Sequence, residues 1–292
     1  MIKVEGLTKK INNKTILKDI NVSVPNGSIT GIVGRNGAGK TTLLRLVAGI
    51  LKPSQGRITL NDQDVFQYPQ VKQDIVFVPD TTDALRQYTV KEIVSLYKRI
   101  YNQFNEEEFY QLLSRFEMKE SGKIKAFSKG QKALFSLILA FSTNAKFLLL
   151  DEPTDGLDVI VKKEILRFIA GAVAEKGVSV LISSHRLDEL EALADHIVVL
   201  KNGVVDSEME MDVLKQQYCK IQVAYQEGFP EALRGKVHML NESGRVYVLL
   251  LEKEDEETIQ QLKLAQPILY EELPLSLEDI FIAKLGGDTF GS

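Results

Sequence analysis

The densest chemistry in the sequence is an eight-residue run, Gly34-Arg35-Asn36-Gly37-Ala38-Gly39-Lys40-Thr41, which follows the pattern G-x-x-x-x-G-K-[ST]. Each part of it suits a phosphate chain. The glycines let the backbone wrap so that successive N–H groups converge on phosphate oxygens, and a helix N-terminus behind them adds partial positive charge. Lys40 has the reach and the charge for the β- and γ-phosphates, and the Thr41 hydroxyl is a ligand for Mg²⁺. The run reads as a nucleoside triphosphate site and is silent about what the energy drives. A second feature answers it. The apolar run Phe147 to Leu150 ends in Asp151-Glu152, two consecutive carboxylates at the C-terminal end of a strand, where open α/β sheets bind ligands. Adjacent residues point to different sides, so two roles follow. Asp151 is expected to hold Mg²⁺ through water, and Glu152 to orient or deprotonate the attacking water. A glycine turn with a capping threonine, or an acidic strand end that solvates itself, is the bland alternative; the flanking strand and helix argue against it.

The elements that must position these groups are legible as alternating textures. Ile29 to Val33, Ile75 to Val78, Phe147 to Leu150, Val178 to Ile182 and Ile197 to Leu200 are apolar on both faces, as in strands covered by helices on each side. The class is α/β. A helix is expected from Thr41 to about Leu51, stopped before Pro53. Thr89-Val90-Lys91-Glu92 and Ser128-Lys129-Gly130-Gln131 have the spacing of capping boxes, and Asn105 before three glutamates favours another helix start. Residues 85 to 130 read as a helical insertion. After residue 212 the texture changes: Lys220 to Tyr225 and Lys236 to Leu240 read as strands, Asn241 to Gly244 as a turn, and Arg245 to Leu251 as the second arm of a hairpin. Glu256 to Ala265 and Leu277 to Lys284 have helical texture. The expected organisation is a catalytic domain over 1–212 and a small α+β appendage over 213–292.

Composition narrows the function. At about 150 residues per domain, 292 residues make one large or two ordinary domains. A net charge of −4 leaves no positive excess for tracking a phosphate backbone, so nucleic acid is not an expected partner. The single cysteine, Cys219, has no partner in the chain, so the fold needs no oxidising compartment. Charges at Lys3 and Glu5 stand where a signal peptide would be apolar, and the uncharged stretch Ala133 to Ala145 is too short to span a bilayer. A soluble cytoplasmic chain is expected, with any membrane connection made through a partner.

Taken in order, Gly34 to Thr42, Phe127-Ser128-Lys129-Gly130-Gln131, Leu148 to Thr154, Asp155-Gly156-Leu157-Asp158 and His185 closely resemble the ATP-binding cassette (ABC) ATPases, over roughly residues 2 to 210. The resemblance implies a P-loop NTPase core with an antiparallel β edge and a helical insertion, ATP and Mg²⁺ as cofactors, and an active ATPase. It implies a head-to-tail dimer of cassettes, either two copies or two related chains. ATP then lies between Gly34, Arg35, Asn36, Gly37, Ala38, Gly39, Lys40, Thr41 and Thr42 of one cassette and Ser128, Lys129, Gly130 and Gln131 of the other. Asp158 would couple the two sites. His185, just after a buried strand, would contact the γ-phosphate and the attacking water; alone it reads equally as a helix-start histidine, and His196 and His238 carry no such role.

Three departures stand out. Ile11 occupies the place of an aromatic that stacks on adenine, which lowers the expected grip on the base. Asp80 replaces a glutamine that ligates Mg²⁺ and faces the membrane partner, adding charge beside Asp151 and Glu152. Lys129 replaces the first glycine of the signature pair, a change read as tolerated. The family resemblance further implies a nucleotide-binding subunit of an export-type transporter, peripheral on the inner face of the cell membrane through separate transmembrane permease subunits. The tail Pro274 to Phe281 is similar to those of bacterial exporter cassettes, and the whole resembles the Ytr group linked to acetoin utilisation. The alternative, a soluble cassette ATPase acting on ribosomes or DNA, is disfavoured by the single phosphate loop, the absence of heptads and the acidic balance.

Overall fold

The computed structural model describes residues 1–81 and 83–285; residues 286–292 of the expected appendage lie outside the described residues. The chain divides into two compact units, Met1–Glu208 and Met209–Ser292.

The first unit opens with an antiparallel hairpin, β1 (Ile2–Ile11) and β2 (Lys14–Val24), and passes through β3 (Ile29–Val33) into α1 (Lys40–Val47). There follow β4 (Gln55–Leu60), the short β5 (Gln63–Asp64), β6 (Ile75–Val78), α2 (Val90–Ile100), α3 (Glu106–Arg115) and α4 (Lys129–Phe141). Then come β7 (Phe147–Asp151), α5 (Val159–Lys176), β8 (Ser179–Ser184), α6 (Leu187–Glu191), β9 (His196–Lys201) and β10 (Val204–Glu210). The strands form an antiparallel sheet, β2-β1-β4-β5, and a second sheet, β10-β9-β3-β8-β7-β6, in which β9, β3, β8, β7 and β6 run parallel. Every residue of β3, β7 and β8 is buried, as a sheet covered on both faces requires. Leu43, Leu44, Leu46 and Val47 of α1 share one core with Ile2, Val4 and Ile58 of the antiparallel sheet and Phe147 and Leu149 of the parallel one. Each such side chain contributes about 1.5–3 kcal/mol by leaving water.

Register decides where the chemistry gathers. Val33 stands beside Ser184, and Asp151 beside Ser183. The residues that follow these three strand ends, Gly34, Glu152 and His185, therefore emerge together at one edge of the sheet.

The local signals act as capping physics dictates. Thr89 caps α2 and Ser128 caps α4, each in a complete capping box, and Asn105 caps α3 by accepting from Glu108 N–H at 3.1 Å. Phe109 of α3 meets Phe135 of α4 edge-on at 5.8 Å, which ties the helical segment to the helix that follows it.

Two sequence expectations are corrected. Helix α1 ends at Val47 and not near Leu51, because Gly49 takes a φ of 66° and closes a Schellman motif: Ile50 N–H donates to Arg45 O and Gly49 N–H to Leu46 O, both at 2.9 Å. Pro53 lies too late to be the stop. In the second unit, Asn241, Glu242 and Ser243 are paired strand residues, opposite Val248, Tyr247 and Val246, so the turn shortens to Gly244-Arg245. A two-residue loop matches the twist of its two arms.

That unit comprises α7 (Met211–Gln217), β11 (Tyr218–Ala224), α8 (Glu231–Arg234), β12 (His238–Ser243), β13 (Val246–Glu252), α9 (Glu256–Leu264), β14 (Leu269–Leu273) and α10 (Leu277–Leu285). Its sheet, β12-β13-β11-β14, is antiparallel throughout, over a core of Ile221, Val223, Phe229, Tyr247, Leu249 and Leu262. Cys219 is buried and free, and burial pushes its thiol up, away from reactivity. No helix among the described residues is long and apolar enough to cross a membrane.

Candidate active site

Gly39 is the N-cap of α1, with a φ of 108°, and a Cβ there would stand 2.6 Å from Leu17 Cδ2. Any other residue would be both strained and blocked. No side chain caps the helix, so its first N–H groups point into the loop without a side-chain acceptor. Arg35, Asn36 and Gly37 are exposed, Gly34 and Ala38 are buried, and Thr42 is half-buried behind Thr41. Lys40 is 5% exposed. Its ammonium donates to Gly34 O at 2.7 Å and pairs with Glu152 Oε1 at 3.0 Å.

Asp151 is 1% exposed. Its Oδ1 accepts from the Thr41 hydroxyl at 3.1 Å and from the Ser183 hydroxyl at 2.8 Å, while Oδ2 is buried with no hydrogen-bond partner among the described residues. Burial pushes this carboxyl up; the two hydroxyls oppose that, and the charges of Asp80 and Glu152 reinforce it. An orphaned buried oxygen beside a threonine hydroxyl is a hard-cation donor set, and Mg²⁺ fits it.

Glu152 takes a φ of 44°, the left-handed region, which for a glutamate stores about 1–3 kcal/mol of strain. Its N–H donates to Ser183 O at 3.2 Å and Ser183 Oγ at 3.1 Å, which holds the turn. The two carboxylates diverge as a result: Asp151 meets Thr41 and Ser183, and Glu152 meets Lys40 and His185. His185 Nδ1 lies 2.7 Å from Glu152 Oε2, and Nε2 lies 4.0 Å from Asp155 Oδ1. Burial alone would raise the Glu152 carboxyl, but the Lys40 ammonium and then His185 outweigh it and hold it below the usual carboxylate range.

The remaining expected residues occupy the periphery. Ser128 is exposed, its Oγ accepting from Gln131 N–H at 3.2 Å while Gln131 Oε1 accepts from Ser128 N–H at 3.0 Å. The half-buried Gly130 packs so that a Cβ would meet Val161 Cγ1 at 2.9 Å. Lys129 extends over Gly156, where a Cβ would lie 2.2 Å from its Nζ. Asp158 caps α5, accepting from Ile160 and Val161 N–H at 3.0 and 3.1 Å. Ile11 ends β1 and is 40% exposed; Asp80 is exposed and borders a cavity shared with Glu152. Thus Lys40, Thr41, Asp151, Glu152 and His185 form one bonded cluster, and Ser128, Gln131, Asp158 and Ile11 make no hydrogen bond to it among the described residues.

Sequence reasoning gave no individual role to Ser183, Asp155 or Glu189. The signal for the first was a serine pair closing an apolar run. Glu189 is 6% exposed, and its Oε2 accepts from Thr154 at 2.7 Å and Ser184 at 3.0 Å while Lys162 pairs with Oε1. It clamps the loop after Glu152 to the end of β8. Glu189→Ala strips two buried hydroxyls and the half-buried Lys162 of their acceptor, and a loss of about 3 kcal/mol in urea denaturation is expected, at the low end because Lys162 keeps some solvent.

A family model described as "ABC transporter" matches residues 17–155. The ABC transporter ATP-binding protein YtrB of Bacillus subtilis (strain 168) is 37% identical over 288 residues, 98% of this chain and 99% of that one. The chain belongs to the ABC transporter ATP-binding proteins. Like its family, this ABC ATPase binds and hydrolyses ATP. It is also similar to the bacitracin transport ATP-binding protein BcrA of Bacillus licheniformis, 28% identical over 313 residues, 100% of this chain and 99% of that one. Among solved structures, the ADP conformation of the cassette MJ1267 superposes with a TM-score of 0.63 at 26% identity, covering 74% of this chain and 93% of that one. CbiO1 from Clostridium perfringens, part of the ABC transporter complex cbiONQ, does so with a TM-score of 0.62 at 27% identity, covering 73% and 90%.

Proposed function

We propose that this ABC subunit powers an export-type transporter from the cytoplasmic face of the membrane, docked on separate permease subunits and closing against a second cassette, a copy of itself or a related chain. The observation that carries the catalytic part is the Lys40–Glu152–His185 chain, at 3.0 and 2.7 Å, beside the Thr41–Asp151 pair. An arriving triphosphate competes with Glu152 for Lys40. Once the ammonium turns to the β- and γ-phosphates, Glu152 loses the stronger of the two partners that lower its carboxyl and becomes a better base only when substrate is present. It then accepts a proton from water, with His185 fixing the carboxylate through Nδ1. Asp151, Thr41 and Asp80 would hold Mg²⁺, which supplies charge neutralisation on the phosphate oxygens. The exposed Ser128 and the N–H of Gly130, at the start of α4, offer a second cassette's γ-phosphate the same amide and dipole contacts that α1 offers its own.

BcrA, named for bacitracin transport, supports the transport reading, and CbiO1, part of a transporter complex, supports the permease partners. The likeness to YtrB supports the Ytr group; cargo belongs to the membrane subunits. Affinity purification of the tagged chain from detergent-solubilised membranes tests the arrangement. A polytopic membrane protein in stoichiometric yield is expected, and recovery of ribosomes instead would reverse the reading. Asp80→Gln removes a charge that crowds Asp151, so kcat is expected to hold or rise; a fall of about tenfold or more in steady-state ATPase would make Asp80 an indispensable ligand.

A further inference from the structure

The stability that Glu189 lends does not explain why its position is charged. The residue stands on α6, is 6% exposed and holds its carboxylate among buried hydroxyls. Taking that charge out of water is costly, and well-packed apolar side chains of similar volume commonly stabilise a fold as well or better. What a buried carboxylate does supply is a fixed geometry for every donor that meets its two oxygens.

Those donors come from three segments that bear on the reacting centre. Oε2 accepts from the Thr154 hydroxyl at 2.7 Å, two residues after Glu152, and from the Ser184 hydroxyl at 3.0 Å, one residue before His185. Oε1 pairs with Lys162, whose N–H donates to Asp158 O at 3.0 Å in the first turn of α5. The same oxygen lies 3.4 Å from Nε of Arg186, one residue after His185, and Arg186 N–H donates to Ser184 Oγ at 3.0 Å. His185 is thus anchored through both of its neighbours, and the turn that carries Glu152 is anchored to the same carboxylate. Bonds to Ser183 hold the strand end itself; Glu189 holds what lies beyond it. The contact between His185 Nδ1 and Glu152 Oε2, at 2.7 Å, spans two segments that meet at this one side chain.

We propose that Glu189 is a positioning residue for ATP hydrolysis: through Thr154, Ser184 and Arg186 it sets the His185 ring against Glu152. The inference rests on the reading of Glu152 and His185 as the pair that activates water. Misplacing such a pair by about 1 Å costs on the order of 10²-fold in rate.

Glu189→Gln is the decisive variant because it keeps the shape of the side chain. An amide offers one oxygen where the carboxylate offers two, so it serves the two hydroxyls or the two cations and not both. In the purified full chain kcat is expected to fall about tenfold while KM for ATP stays within about twofold, since nothing that meets phosphate has changed. Thr154→Val removes one donor at nearly constant shape and is expected to lose kcat severalfold, and Thr154→Ser to recover it. A double variant separates positioning from mere support. Adding Glu189→Gln to His185→Ala should slow single-turnover hydrolysis by no more than about twofold, because the contact that Glu189 sets is already gone. An undiminished loss on the His185→Ala background, or a Glu189→Gln chain with wild-type kcat, would overturn the assignment. The second result beside a slow His185→Ala would leave the water-activating pair standing, whereas a His185→Ala chain at full rate would remove both. Should Glu189→Gln fail to fold by circular dichroism, Thr154→Val and Thr154→Ser, each with and without His185→Ala, decide the same question.

Discussion

Glu152→Gln is expected to bind ATP at least as tightly as the wild type and to turn it over about 10²–10⁴-fold more slowly. Glutamine keeps the shape of the side chain and its contact with His185 but cannot accept a proton. The affinity half of the expectation is the less obvious one. In the folded chain Glu152 Oε1 holds Lys40 at 3.0 Å, and that pair must open before the ammonium meets phosphate. Removing the carboxylate charge removes the competitor. A nucleotide-bound dimer should accumulate, visible by size exclusion in ATP, while phosphate release falls. Turnover equal to the wild type would reject Glu152 as the water-activating group.

Lys40→Ala does the reverse. It deletes a charged donor to the β- and γ-phosphates, and loss of one such contact weakens binding by about 10- to 100-fold in titration with a fluorescent ATP analogue. It also leaves Glu152 with His185 as its remaining partner, so the carboxyl moves back up towards its ordinary value. The stability consequence has a definite sign. A carboxyl lowered by folding stabilises the fold above its unfolded pKa and loses that contribution as pH falls through the folded value. The variant should therefore show a shallower acid limb in its stability profile than the wild type. An unchanged acid limb would mean that Lys40 does not govern this carboxyl.

How much of this was legible beforehand differs by the range of the interaction. The strands β3, β6 and β7 and the caps at Thr89, Asn105 and Ser128 could be read directly, because a buried run or a capping box involves a handful of neighbouring residues. The end of α1 could not, since Gly49 and Pro53 both look like stops and the Schellman bonds of the backbone choose between them. The hairpin of the second unit was misplaced for a similar reason: four turn-forming residues stand in a row, and cross-strand pairing takes three of them.

The candidate site divides along the same line. From the sequence alone came the phosphate loop, the carboxylate pair, the signature serine and His185, because each is a residue type that its reaction requires, set in a short local pattern. Tertiary structure decided which of these touch. The parallel register of β3, β7 and β8 brings Ser183 to Asp151, Lys40 to Glu152, and both ring nitrogens of His185 to carboxylates from another segment. It also turned Glu189, which in the sequence is an ordinary acidic position of a short helix, onto the hydroxyls of Thr154 and Ser184. Local backbone geometry is written in neighbouring residues, whereas the charge balance of a pocket is a sum over groups that only the folded sheet brings within a few ångströms of one another.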